Sequence, residues 1–114
     1  TIEATLDTNK ILLEQGKANK TIDETNYDVK IIAPSFVHSS AEIRHSAIGP
    51  YASIGANCKI TNSQITESII EAGCEIQDVA LNRSLIGTQA KVRGRGDGHA
   101  MQLNVGDHSA VLLS

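Results

Sequence analysis

Four histidines, two cysteines and a run of arginines among glycines are the residues here whose types could do chemistry. His38, His45, His99 and His108 invite a metal or general-base reading. The first pair is 7 positions apart and the last pair 9, so neither reproduces a compact ligand pair. All four read first as surface histidines, and no metal site is expected. His99 stands apart because it lies in residues 93–104, which interrupt the periodicity of the chain. On such a loop one histidine could serve an acyl transfer as general base. The same segment begins Arg93-Gly94-Arg95-Gly96-Asp97-Gly98. Arg93 and Arg95 are candidates for holding an anion, with glycine-freed backbone amides beside them. The run lacks the Lys-Ser/Thr ending of a P-loop and is no dinucleotide fingerprint, so a solvated turn is the plainer reading.

The elements that must position these residues are set by an aliphatic ladder. Val37, Ile43, Ile48, Ile54, Ile60, Ile65, Ile70, Ile76, Leu81, Ile86 and Val92 follow one another at steps of 5 or 6. A helix repeats every 3.6 residues and a strand every 2, so neither generates this spacing. It is the pattern of a hexapeptide solenoid. Val37, Ile54, Ile70 and Ile86 form one column, with coils of 17, 16 and 16 residues. Ile43, Ile60, Ile76 and Val92 form a second, and Ile48, Ile65 and Leu81 a third. Two positions before each aliphatic sits a smaller residue such as Ala52, Ser63 or Ala90, suited to a crowded axis. Gly49, Gly55 and Gly87 directly follow a rung, where tight corners tolerate glycine.

The pattern predicts an all-β solenoid, a left-handed parallel β-helix of about four coils over residues 37–114, with 93–104 as an inserted loop. Val105 and Val111 resume the rungs, and Leu112 and Leu113 are expected to help cover the open end. Cys58 and Cys74 then share a column on adjacent coils. They are expected as buried free thiols, since stacked in-register strands give poor disulfide torsions. Residues 1–16 suit a helix, with Ile2, Leu6, Leu12 and Leu13 on an apolar face and Gly16 as the stop. So short a helix needs a packing partner, and the chain need not supply it. Residues 17–36 are polar and read as a linker ending in Ala33-Pro34-Ser35.

Composition narrows the function classes. Aromatic residues are 3% of the chain while 40% are hydrophobic, which suits a core of stacked Ile, Val and Ala. The net charge of −3 argues against general affinity for nucleic acid or anionic membrane. No apolar run approaches the roughly 20 residues that span a bilayer. A cytoplasmic location is the expectation, and the Thr1-Ile2-Glu3-Ala4 start reads as part of a longer protein.

Three segments carry a resemblance: Thr1-Ile2-Glu3-Ala4-Thr5-Leu6-Asp7-Thr8-Asn9, the coils around Ser46-Ala47-Ile48-Gly49-Pro50, and Leu103-Asn104-Val105-Gly106-Asp107-His108-Ser109. Together they resemble the C-terminal part of the long-form sugar-1-phosphate nucleotidylyltransferases. The resemblance implies a helix closing a Rossmann-like catalytic domain, followed by a left-handed β-helix. It implies that the N-terminal domain holds the magnesium and the catalytic residues, so none is carried onto this chain. Short prisms with flat faces assemble side by side, and a homotrimer through β-helix faces is the expectation. Hexapeptide rungs occur in acyltransferases too, which leaves a second reading with acetyl-CoA as donor and His99 as base. A third is a regulatory module that binds a sugar nucleotide between prisms.

Overall fold

The aliphatic ladder closes into three parallel sheets that share one interior. A computed structural model describes residues 1–17 and 28–113. Face A stacks β1 (Lys30–Ile31), β4 (Ala47–Ile48), β7 (Gln64–Thr66), β10 (Ala80–Asn82) and β13 (Ala100–Met101). Face B stacks β2 (Phe36–Val37), β5 (Ser53–Ile54), β8 (Ile69–Ile70), β11 (Leu85–Ile86) and β14 (Asn104–Val105). Face C stacks β3 (Glu42–Arg44), β6 (Lys59–Thr61), β9 (Glu75–Gln77), β12 (Lys91–Arg93) and β15 (Ala110–Leu112). Each successive strand turns onto the next face, so one circuit of the chain makes one coil.

Register follows the ladder residue for residue. Ile48 pairs with Ile65 and Ile65 with Leu81. Ile54 pairs with Ile70 and Ile60 with Ile76. The paired aliphatics point inward, and Ile48, Ile54, Ile60, Ile65 and Ile86 are all 0% exposed. Shifting any strand by one residue would turn these side chains out to solvent, so burial itself fixes the register.

The solenoid of about four coils expected from the ladder is present, with five strands in each of its three sheets. Two boundaries differ from expectation. The solenoid begins with β1, inside the span read as linker over 17–36; residues 18–27 of that span lie outside the described residues. Ile31 pairs with Ile48 and is a rung in its own right, hidden in the sequence behind Pro34. The inserted loop over 93–104 is shorter than expected, because Ala100–Met101 forms β13 and Met101 pairs with Leu81. The true excursion is 94–99, and it delays the next rung beyond the five- or six-residue step.

Buried serines at the corners are satisfied by a repeated pair of bonds. Ser63 Oγ donates to the Thr61 carbonyl at 2.8 Å and accepts the Val79 N–H at 3.3 Å. Ser68 Oγ likewise donates to the Thr66 carbonyl at 2.7 Å and accepts the Ser84 N–H at 2.9 Å. Each hydroxyl ties its own corner to the next coil. Among the described residues no buried side-chain polar atom lacks a partner.

The residue just before each small corner residue often holds a left-handed backbone. Asp28, His45, Asn62 and Asp78 do so at one corner, with φ of 56°, 49°, 50° and 58°. Tyr51, Glu67 and Arg83 do so at the next, with φ of 63°, 49° and 52°. This conformation costs roughly 1–2 kcal/mol for a non-glycine residue. A cross-coil hydrogen bond from the same residue offsets part of that cost: Asn62 N–H reaches the Arg44 carbonyl at 3.0 Å, and Glu67 N–H the Pro50 carbonyl at 2.9 Å. Glycine is required for a different reason at Gly87. A Cβ there would come within 2.6 Å of the Asp107 backbone nitrogen on the neighbouring coil.

The helix α1 (Ile2–Leu12) is capped by Thr1, whose hydroxyl accepts the Ala4 N–H. A wider turn over Leu13–Lys17 ends at Gly16, where φ is 94°. The packing partner of α1 lies within this chain, since Leu6 and Leu13 are buried to 1% and 4% exposure. Asn9 places the helix along face B: it accepts a hydrogen bond from Ser53 Oγ at 2.6 Å and donates to the Tyr51 carbonyl at 3.4 Å. The outward residues of face B, Phe36, Ser53, Ile69 and Leu85, are accordingly half-buried. Their counterparts on face C, Glu42, Lys59, Glu75 and Lys91, are exposed.

Candidate functional site

The histidines and arginines singled out by type do not converge. His99 is on the excursion with its side chain 87% exposed, and its Nδ1 stands 3.9 Å from Asp97 Oδ2. Arg93 projects from the outer side of β12 on face C, while its carbonyl accepts the Leu113 N–H at 2.8 Å. Arg95 is exposed in the excursion. Among the described residues, neither guanidinium has an ion-pair partner. His38 Nδ1 is engaged locally by Ser40, 2.8 Å from its hydroxyl, and His108 holds an exposed corner. Among the described residues no three His, Cys, Asp or Glu side chains gather as a metal ion would need.

The cysteines stand in one column at the corner between faces B and C, both 0% exposed and both free. Cys58 Sγ donates to the Glu71 carbonyl and Cys74 Sγ to the Gly87 carbonyl, each at 3.0 Å. The adjoining Cys58 thiol, together with burial, holds the Cys74 thiol far above the ordinary thiol range. A thiol so held is an inert packing group rather than a nucleophile.

A charged clamp fastens α1 to the solenoid. Arg83, in its left-handed corner, is ion-paired with Glu3, with Asp7 at 3.2 Å and with Glu67 at 3.6 Å. Glu3 first, and Asp7 with it, raise the pKa of this guanidinium above its already high ordinary value. Lys10 Nζ meets Glu67 Oε1 at 3.1 Å and lies 4.9 Å from the centre of the Tyr51 ring. Sequence reading missed this group, because its members are brought together across 76 and 80 residues of chain.

A polar groove runs along the corner between faces C and A, with a volume of about 380 Å³. Asp28, His45, Asn62 and Asp78 form its ridge, Lys30 and Gln64 stand beside them, and Gly96 and Gly98 of the excursion form its far wall. A second groove of about 430 Å³ crosses face C between Lys59, Glu75, Lys91 and Arg93. At the open end Leu113 packs partly against the core as expected, whereas Leu112 points outward and is 75% exposed. Among the described residues, neither groove gathers a nucleophile, a base and an oxyanion donor around one point, the arrangement that group transfer needs.

No family model matches the chain. A glucose-1-phosphate thymidylyltransferase of Streptomyces antibioticus is 33% identical over 112 residues, covering 96% of this chain and 31% of that protein. Another, of Streptomyces griseus, is 26% identical over 107 residues, covering 92% of this chain and 28% of that protein. The chain therefore spans less than a third of the length of these relatives.

Proposed function

The chain is a relative of one portion of the glucose-1-phosphate thymidylyltransferases, and from that premise we propose that it is the non-catalytic, oligomerising C-terminal β-solenoid of a sugar-1-phosphate nucleotidylyltransferase. The observation that carries this reading is the likeness along 96% of the chain, helix and coils together, to under a third of the relative. The parent reaction joins a nucleoside triphosphate and a sugar 1-phosphate to give a nucleotide sugar and diphosphate. Its magnesium and its catalytic groups belong to a preceding domain. The setting is cytoplasmic; no described helix is long and apolar enough to cross a membrane. Assembly is as a homotrimer through solenoid faces. Because α1 covers face B, faces A and C are the ones open for contact between subunits. Face C suits such contact through its alternating Glu42, Lys59, Glu75 and Lys91.

A second reading, an acyltransferase drawing on acetyl-CoA, would use His99, whose backbone N–H donates to Asp97 Oδ1 at 3.1 Å and whose Nδ1 lies 3.9 Å from the same carboxylate. One set of measurements separates the two. Light scattering on the purified chain is expected to give three times the monomer mass, with no acetyl transfer to sugar phosphates. Stable monomer would overturn the oligomerising role. Acetyl transfer that disappears in His99→Ala would replace the first reading with the second.

A further inference from the structure

The ridge at the corner between faces C and A carries more polar groups than its coil-to-coil bonds use. Four polar residues, one per coil, stand in line there at about the 4.8 Å spacing of stacked strands. Hydrogen bonding divides them into two pairs. His45 Nδ1 lies 3.3 Å from Asp28 Oδ2, and Asn62 Nδ2 donates to Asp78 Oδ1 at 2.8 Å. No described residue bridges His45 to Asn62, so the line is open at its middle. Beside it, face A alternates the longer Lys30 and Gln64 with Ala47 and Ala80, and these short side chains leave the groove. The excursion closes the far side. Gly96 N–H donates to the Asp78 carbonyl at 2.9 Å, and a Cβ on Gly94 would collide with that carbonyl at 2.4 Å.

The chemistry of this groove selects among ligands. A diphosphate would meet two carboxylates, Asp28 and Asp78, against the single ammonium of Lys30. An apolar molecule would find no aromatic or large aliphatic side chain among the described lining residues apart from Val79. A neutral polyhydroxylated molecule meets neither obstacle. Its hydroxyls can donate to the carboxylates and the Asn62 carbonyl oxygen while accepting from imidazole, amide and ammonium. A volume of about 380 Å³ lies at the small end of ligand sites, which run roughly 300–1,000 Å³. We propose that this groove binds an uncharged sugar, seated across the gap between His45 and Asn62. The site does not rest on the family reading.

The test is a ¹⁵N-resolved NMR titration of the full chain with glucose, with N-acetylglucosamine and, as the anionic arm, with inorganic diphosphate. Either sugar is expected to shift amides confined to residues 28–30, 45–47, 62–64, 78–80 and 96–98. Asn62→Gly and His45→Gly keep the left-handed backbone while deleting the polar groups. Each is expected to weaken sugar binding about fivefold, the loss of one hydrogen bond, with the remaining amides unmoved as the control on folding. The proposal is overturned if neither sugar moves these amides at tens of millimolar. It is equally overturned if diphosphate alone moves them, or if both glycine variants bind sugar as the parent does.

Discussion

A serine at 0% exposure inside a column of isoleucines would ordinarily be a defect, and in this solenoid Ser68 and Ser84 are both so placed. Each is kept because its hydroxyl replaces a backbone bond that the corner cannot make. Ser68 takes the Ser84 N–H from the next coil and donates its own proton to the Thr66 carbonyl of its own corner. Ser68→Ala would strand both groups, so equilibrium urea unfolding is expected to show a loss of about 1–3 kcal/mol. A loss near zero would mean that water enters the corner. That a small residue belongs two positions before each rung was legible in the sequence. That serine and alanine are not interchangeable there was not, because the difference lies in a bond to a residue one coil away.

Among the elements, α1 departs most from sequence reasoning. Its apolar stripe was visible in Ile2, Leu6, Leu12 and Leu13, of which Leu12 turns out to be 43% exposed, but nothing local says that face B is what the stripe covers. The clue is compositional. Outward positions on face B are Phe36, Ser53, Ile69 and Leu85, whereas those on face C are charged. The covered face is legible only when the outward columns are compared with one another, and the inward ladder carries no trace of it. Arg83→Met is expected to leave the coils folded while speeding hydrogen exchange of the Leu6–Leu13 amides. Raised salt should do part of the same in the parent, since the clamp is largely solvent-facing. Unchanged exchange in the variant would show that Leu6 and Leu13 hold the helix without the charges.

At the scale of the whole molecule, stability is a stack of similar coils with unequal ends. Ile60 is 0% exposed in the second coil, whereas Ile43 in the first is only partly buried. Ile60→Ala is expected to cost about 2–5 kcal/mol by thermal unfolding. Ile43→Ala should cost distinctly less, because its cavity opens to solvent. Equal losses would mean that something covers the first coil. The stack was legible because its period belongs to burial, which residue type reports. The sugar groove was not, since Asp28, His45, Asn62 and Asp78 share only a corner conformation, and four different polar residues leave no compositional trace of it.

The clamp and the stack also measure each other. From Asn9 to Glu3 the helix rises about 9 Å at 1.5 Å per residue. From the coil of Ser53 to the coil of Arg83 the solenoid climbs two spacings, about 9.6 Å. The two lengths are commensurate, and only for this number of intervening coils. Removing one coil between them would bring the two ends of the clamp a full spacing out of step, however well the shortened solenoid folded. The helix therefore acts as a gauge block laid against the prism, and it makes the coil count between those residues a fixed dimension.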